Sequence, residues 1–183
     1  MSDPVCEEHR WARDVARGDV PAVIALLAVQ DVHRAFGWRE RPGALEIGAL
    51  LFRTPACAGR YNRTWLLGLG CGTVEPKRAI GLCNLRGEDP EAVDLAYALA
   101  PAARGRRHMR AFIRLVLRQL FAGSTVQTVF AQAGADNPAS RRTLEGLAFT
   151  PRSHLTFALT RPAFMNDSAP RAAAVDLEAA RAV

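Results

Sequence analysis

The stretch from Met109 to Leu120 places the strongest constraint on what this chain folds into. Its apolar side chains recur three and four residues apart, at Met109, Phe112, Ile113, Val116, Leu117 and Leu120. This spacing predicts an amphipathic helix that covers a sheet with one face and that Gly123 can terminate. Strand-like segments lie on both sides of it, so we expect the helix to be a crossover between two parallel strands.

The strand-like segments themselves are apolar and are bounded by glycine, proline or charge. They are "RTWLLGLGCG", "RAIGLCNLRG" and "EAVDLAYALAP" before the helix, and "STVQTVFAQAG" and "SHLTFALT" after it. The first three follow one another without a helical pattern between them, which predicts antiparallel hairpins. The expected fold class is therefore α/β, with a single mixed, mostly antiparallel sheet flanked by helices.

The remaining elements are shorter. A strand is predicted over Trp11 to Val15, followed by an apolar helix with Asp19 as its N-cap and Pro21 in its first turn. A second helix is expected within Pro42 to Pro55. "NPASRRTLEGLAF" predicts a short helix capped by Asn137, with Pro138 as its first residue.

Length and composition favour one domain. The chain has 183 residues, of which 49% are hydrophobic, enough for one well-buried core. We expect this domain over residues 1–164. Residues 165–183 are rich in alanine and predict a tail that is helical or disordered and that can supply a homodimer contact.

The charge pattern bears on partners. The formal charge is +6 and the isoelectric point is near 9.9, but the arginines are scattered, which disfavours nucleic acid as a partner. The four cysteines form no C-x-x-C pair, histidines lack metal-ligand spacing, and no apolar run reaches the roughly 20 residues of a membrane span. We expect a cytoplasmic protein with reduced cysteines and without a metal or a membrane contact.

A basic loop, "APAARGRRHM", connects the third apolar segment to the long helix. Backbone amides at a helix N-terminus bind phosphate, and Gly105 allows a tight turn there. The alternative is a solvated basic loop without a ligand. His108 stands beside arginines, so we expect its imidazole to be neutral.

Three segments together resemble the GCN5-related N-acetyltransferase (GNAT) superfamily, in particular its ribosomal-protein alanine acetyltransferase-like branch. They are "AVDLAYALAP", "AARGRRHMRAFIRLVLRQLF" and "TVFAQAGADNPASRRTLEGLAF". The resemblance implies acetyl-CoA or another acyl-CoA as co-substrate and direct transfer to a primary amine of a small molecule or protein N-terminus. It places the acyl-CoA against Leu99, Arg104, Gly105, Arg106, Arg107, His108, Met109 and Asn137.

The loop departs from the family pattern, because only Gly105 of its fixed positions is present. If position 107 is left-handed, a residue other than glycine costs about 1–2 kcal/mol there. A charged hydrogen bond from Arg107 to phosphate contributes about 1.5–3 kcal/mol. Arg107 therefore either replaces lost backbone contacts or closes the site.

The resemblance also implies catalytic residues. Many relatives carry a tyrosine that protonates the thiolate where this chain has Leu144, whereas the resembled branch uses a serine that corresponds to Ser140. Asp94 or Glu91 is the candidate base. Each of these residues also has an interpretation without catalysis. Ser140 is compatible with the first turn of a helix, and Asp94 and Glu91 can be solvated carboxylates of a strand.

Two other functions are compatible with the sequence. The altered loop, Leu144 and Ala148 also suit a non-catalytic GNAT-fold module that senses a ligand or binds a protein. An arginine-rich surface that binds RNA is a third, weaker interpretation.

Overall fold

We describe a computed structural model of the chain, covering residues 5–7, 10–52, 61–70 and 78–168. Its strands are β1 (Val5–Glu7), β2 (Arg10–Asp14), β3 (Tyr61–Leu69), β4 (Arg78–Asp89), β5 (Ala92–Leu99), β6 (Thr128–Gln132), β7 (Thr150–Pro151) and β8 (Thr156–Thr160). Its helices are α1 (Val20–Leu27), α2 (Gln30–Ala35), α3 (Ala44–Phe52), α4 (His108–Gly123), α5 (Pro138–Glu145) and α6 (Arg161–Ser168).

The eight strands form one sheet in the order β1-β2-β3-β4-β5-β6-β8-β7. Every neighbouring pair is antiparallel except β5 and β6, which are parallel and joined by α4. This confirms the predicted fold class and the predicted crossover. A parallel pair needs a long connection that packs back on the sheet, and the amphipathic α4 provides it.

The parallel strands separate before β5 ends. Ala92 to Leu95 pair with Thr128 to Ala131, and the pairing with β6 stops there. On its other edge β5 continues along β4 as far as Leu99, which lies opposite Gly81. We call this opening the β5–β6 split, and it leaves the last half of β5 without a strand on one side.

The two faces of the sheet carry separate cores. On one face α4 buries Phe112, Ile113 and Val116, and the indole of Trp65 donates to Gln119 of α4 at 2.8 Å. On the other face α1, α2 and α3 pack over a cluster that includes Leu66 and Leu82. The long apolar stripe of α4 is therefore the main reason that the sheet is covered on this side.

The region after β2 differs from its prediction. The apolar helix ends at Leu27, and a second helix, α2, starts at Gln30 after Val29, which is extended. Asp19 takes the N-cap position of α1 but does not cap it, because its carboxylate accepts two hydrogen bonds from Arg13 at 2.6 and 2.7 Å. The ion pair to a guanidinium has replaced the expected bond to the first-turn amides.

Helices α3, α4 and α5 follow their predicted boundaries closely, whereas α6 was not predicted and crosses the predicted domain boundary at 164. Asn137 caps α5 through a hydrogen bond from the Ser140 amide at 3.0 Å, and Gly123 is the last residue of α4. Helix α6 packs on the core through Phe164, whose ring lies 5.3 Å from that of Phe121. The predicted tail beyond Ser168 lies outside the described residues, and the domain boundary at 164 stays a prediction.

Candidate active site

A cavity of about 1060 Å³ lies at the β5–β6 split, between the start of α4 and the start of α5. It is lined by residues 31, 34 and 35 of α2, 97–99 of β5, 103–105 and 107–110 of the loop and α4, 132–134 and 136 at and after the end of β6, and 137, 139, 140, 142 and 143 of α5 and its cap. Clefts of this size, formed where two parallel strands diverge, are common ligand sites in α/β proteins.

Two residues of the loop before α4 have a left-handed backbone conformation. Gly105 has φ 77° and Arg107, the N-cap of α4, has φ 57°. Glycine takes this conformation without strain, whereas arginine costs about 1–2 kcal/mol there. The left-handed conformation assumed for position 107 is therefore confirmed, and the loop carries strain at a cavity-lining residue.

Arg104 is engaged within the protein. Its Nε donates to the carbonyl of Leu99 at 3.1 Å, and its Nη1 lies 2.9 Å from the carboxylate of Asp31 on α2. The arginine thereby ties α2 to the end of β5. The pKa of Asp31 is lowered, chiefly by this hydrogen bond from Arg104.

Positive charge dominates the cavity wall. Five arginines line it, Arg34, Arg104, Arg107, Arg110 and Arg142, against two aspartates, Asp31 and Asp136. Within the described ranges no ion pair engages Arg107, Arg110 or Arg142. Guanidinium groups stay charged at any physiological pH and match phosphate geometry, so this wall suits a polyanion.

His108, the first residue of α4, contributes no charge at neutral pH. Its Nδ1 accepts a hydrogen bond from Nε of Arg10 at 3.2 Å, which places the imidazole proton on Nε2. Burial, followed by the charges of Arg10 and Arg106, lowers its pKa. The expectation of a neutral imidazole agrees with this direction.

Two hydroxyl groups of cavity-lining residues contact each other. The oxygen of Tyr97 on β5 lies 2.6 Å from Oγ of Ser140 in the first turn of α5. Burial raises the pKa of Tyr97 to about 12. The phenol therefore keeps its proton near neutral pH and is a hydrogen-bond donor to or acceptor from the serine.

Most of the predicted site residues line this one cavity. They are Leu99, Arg104, Gly105, Arg107, His108, Met109, Asn137 and Ser140. Arg106 belongs to the same exposed loop but does not line the cavity. The loop, the end of β5 and the start of α5 thus converge on one cavity.

The two predicted bases lie elsewhere. Asp94 is exposed on β5 opposite Arg86, and its side chain points to the face away from α4, because Val93 and Leu95 on either side of it are buried in the α4-side core. Glu91 precedes β5 at the end remote from Leu99, and its carbonyl accepts the amides of Gln127 and Thr128. The structure brings neither carboxylate to the cavity.

Several lining residues were not predicted. Tyr97 was not among the predicted site residues, and Asp31 and Arg34 lie on α2, a helix that the sequence did not predict. The spacing of Val29, Val32 and Phe36, followed by Gly37 with φ 88°, was the signal for that helix. Tyr97 and Ser140 are 43 positions apart, so no local sequence pattern indicates that they form a hydrogen bond.

The residues present fit the anionic part of an acyl-CoA. The start of the 16-residue α4 offers backbone amides and the positive end of its dipole, with Arg107 beside them. The β5–β6 split next to it exposes a strand edge that an extended arm can follow. The Leu99 carbonyl is already taken by Arg104, so the arm would use backbone groups before it.

Fold and cavity together define a class: mixed-sheet α/β domains with a cavity at a split between two parallel strands. The family profile described as "Acetyltransferase (GNAT) domain" matches residues 11–150. The chain therefore belongs to the GNAT acetyltransferase family. No curated protein matches it in sequence.

Solved structures share this fold at low identity. Spermidine N-acetyltransferase from Vibrio cholerae, in complex with CoA and spermine, has a TM-score of 0.72 and 15% identity, covering 87% of this chain and 100% of that chain. Ribosomal-protein-S5-alanine acetyltransferase from Vibrio fischeri has a TM-score of 0.64 and 14% identity, covering 87% and 97%. These similarities bear on the fold.

Two features are absent from the described part of the chain. No helix there is long and apolar enough to cross a membrane. No group of three or more His, Cys, Asp or Glu side chains in the same residues is placed to hold a metal ion.

Proposed function

We propose that this protein transfers an acyl group, acetyl in the simplest case, from acyl-CoA to a primary amine of a small molecule or a protein N-terminus. One observation carries the proposal: the arginine-lined cavity joins the N-terminus of α4 to the β5–β6 split and to Ser140. Acyl-CoA has the same sequence of parts, with phosphates at one end and a thioester at the other.

The residues divide the work by position. The amides at the start of α4, Arg107 and the other lining arginines would hold the phosphates, and the open edge of β5 would hold the arm. Acyl-CoA supplies an activated acyl carbon, to which the amine nitrogen bonds as the carbon–sulfur bond breaks. Ser140, which also lines the cavity, would donate a hydrogen bond to the departing sulfur.

The nature of the amine is supported more weakly. The V. cholerae and V. fischeri neighbours are named for spermidine and for an alanine of a ribosomal protein. A polyamine would be repelled by the five arginines of the described cavity, so it would have to enter from another side. We favour an acceptor with a single amine, and the panel that tests it includes both kinds.

Calorimetry with acetyl-CoA tests the binding step. We expect Arg107→Ala to weaken binding by roughly tenfold to a hundredfold, the equivalent of one charged hydrogen bond. Arg106→Ala is the matched control, because it removes the same charge from the same loop without touching the cavity. Absence of binding at millimolar acetyl-CoA, or equal losses in the two variants, would contradict the assigned site.

A non-catalytic GNAT-fold module is the second candidate, and one observation favours it. Many relatives have a tyrosine acid at the position of Leu144. The side chain of leucine cannot donate a proton, and Leu144 is fully buried. Thiol release from acetyl-CoA over a panel of amines, including spermidine and an alanine-terminated peptide, separates the two functions. Acetyl-CoA binding without thiol release for any amine would favour the module.

A further inference from the structure

Tyr97 and Ser140 form a contact that the family resemblance does not explain. Their oxygens are 2.6 Å apart, within the range of a good O–H···O hydrogen bond. Tyr97 stands two residues before the end of β5, and Ser140 stands in the first turn of α5, so the bond spans the β5–β6 split. Both residues line the cavity.

The direction of this hydrogen bond follows from the available partners. Among the described residues, Ser140 is the partner found for the Tyr97 hydroxyl, and Tyr97 is partly buried. If Ser140 donated, the phenol proton would have no acceptor among the described residues, and the phenol is also the stronger acid of the two hydroxyls and so the better donor. If Tyr97 donates, the serine proton turns into the cavity, where a ligand can accept it.

The backbone holds Ser140 in place for this role. Its amide donates to Oδ1 of Asn137 at 3.0 Å, and Pro138 fixes the start of the same turn. The serine Oγ is thus held from two sides, by its capped turn and by the phenol. A hydroxyl that accepts a strong hydrogen bond becomes a better donor in turn.

We propose that Tyr97 is a positioning residue, which donates to Oγ of Ser140 and so directs the Ser140 hydroxyl proton at the sulfur of the leaving thiolate. This inference rests on the proposed acyltransferase function. The bond between amine nitrogen and acyl carbon forms, the carbon–sulfur bond breaks, and its electron pair goes to sulfur. The amine loses one proton and the sulfur gains one, so atoms and charge balance.

Tyr97 itself keeps its proton throughout. Its pKa of about 12 lies above that of an ordinary thiol, near 8.5, so complete transfer from the phenol to a thiolate is unfavourable by roughly three powers of ten. The phenol therefore polarises and orients Ser140, and the proton that ends on sulfur comes from the amine through solvent. The serine supplies a hydrogen bond rather than a full proton.

The test compares Tyr97→Phe, Ser140→Ala, the double variant and Ser140→Thr. We expect each single variant to lower kcat roughly tenfold or more with little change in KM for acetyl-CoA, and the double variant to equal Ser140→Ala. Ser140→Thr, which keeps a hydroxyl, should restore most of kcat. Tyr61→Phe is the matched control, because Tyr61 is the only other tyrosine and does not line the cavity.

A binding measurement gives a readout that does not depend on turnover. More of the CoA thiol is thiolate at pH 9 than at pH 7. The preference of wild type for CoA over desulfo-CoA, measured as the ratio of their dissociation constants, should therefore be roughly tenfold larger at pH 9 than at pH 7. Tyr97→Phe and Ser140→Ala should both lose this preference. Because desulfo-CoA keeps every phosphate, the comparison cancels contributions from the arginines.

The outcomes separate the two proposals. A wild type that binds no CoA overturns both the acyltransferase function and this inference. If wild type binds and turns over acetyl-CoA but Tyr97→Phe matches Tyr61→Phe in kcat and in thiolate preference, only the role of Tyr97 is overturned. Losses that multiply in the double variant also overturn it, since Tyr97 then acts independently of Ser140. If Tyr97→Phe fails to fold, a thiolate preference unchanged in Ser140→Ala overturns the role of Tyr97 as well.

Discussion

At the scale of single residues, Arg107 combines backbone strain with a positive charge. Its φ of 57° is one of two positive values found at residues other than glycine in the described chain. Backbone strain at a cavity-lining residue is retained when the side chain has a use that glycine lacks. The charge of Arg107 in the cavity wall provides that use.

The strain at Arg107 can be measured apart from the charge. We expect Arg107→Gly to be more stable to unfolding than Arg107→Ala by about 1 kcal/mol, because both remove the guanidinium but only glycine relieves the left-handed backbone. Chemical denaturation of the two variants gives the difference. Gly105→Ala is a control in which strain is introduced instead of relieved. The φ of Gly105 is 77° and an added Cβ meets nothing within 4 Å, so the free energy of unfolding should fall by about 1–2 kcal/mol from the backbone alone. Equal stability of Arg107→Gly and Arg107→Ala would mean that position 107 is not left-handed in solution.

At the scale of elements, the N-terminus of α5 links stability to the site. Asn137 caps the helix, Pro138 opens it and Ser140 points into the cavity from the same turn. The cap therefore satisfies a first-turn amide and also sets the position of the hydroxyl that meets Tyr97.

Removing this cap should have a measurable cost. We expect Asn137→Ala to lower the free energy of unfolding by about 1 kcal/mol, whereas Asn137→Ser should retain most of it, because serine also caps well. Hydrogen exchange should locate the loss in α5, with the Ser140 amide exchanging faster in Asn137→Ala. A uniform change across the chain, or an equal loss in Asn137→Ser, would show that the side chain does not act as a cap.

Elements also show how far sequence reasoning reaches. The stripe of α4 predicted the crossover and the parallel pair, because a 3.6-residue period over four turns is a strong local signal. Helix α2 was missed since it is six residues long and half polar, and its place depends on a break at Val29 that only packing determines. The base was sought at Asp94, but the alternation of side chains along β5 puts that carboxylate on the far face.

At the scale of the whole molecule, the cavity gathers residues from α2, β5, α4 and α5, and its charge is a property of that assembly. Arg34 and Arg142 are more than a hundred positions apart, so neither composition nor any single motif predicts five arginines on one wall. The sequence predicted the loop and the start of α5 because each carries its own local pattern. It did not predict the β5–β6 split, which depends on where strand pairing ends.

The assembled charge predicts that ligand binding is linked to proton uptake through His108. Its pKa lies below the ordinary value near 6.5 because of burial, then Arg10 and Arg106, so the free protein holds it neutral at pH 7. Phosphates placed beside it would raise that pKa. We therefore expect His108 to contribute proton uptake to acetyl-CoA binding around and just below pH 6.5, a contribution that favours tighter binding as the pH falls from 8 to 6.

Titration calorimetry in two buffers of different ionisation enthalpy measures this uptake directly. The 3′-phosphate of CoA titrates near pH 6 and, held by arginines, would release protons on binding, which is the opposite sign. His108→Asn removes the imidazole but leaves the phosphate contribution, so the difference between wild type and variant isolates His108. We expect that difference to be a net uptake that vanishes above about pH 8, where the imidazole is neutral in both states. Identical proton balances in the two proteins would place the phosphates away from the start of α4 and remove the electrostatic basis of the assigned site.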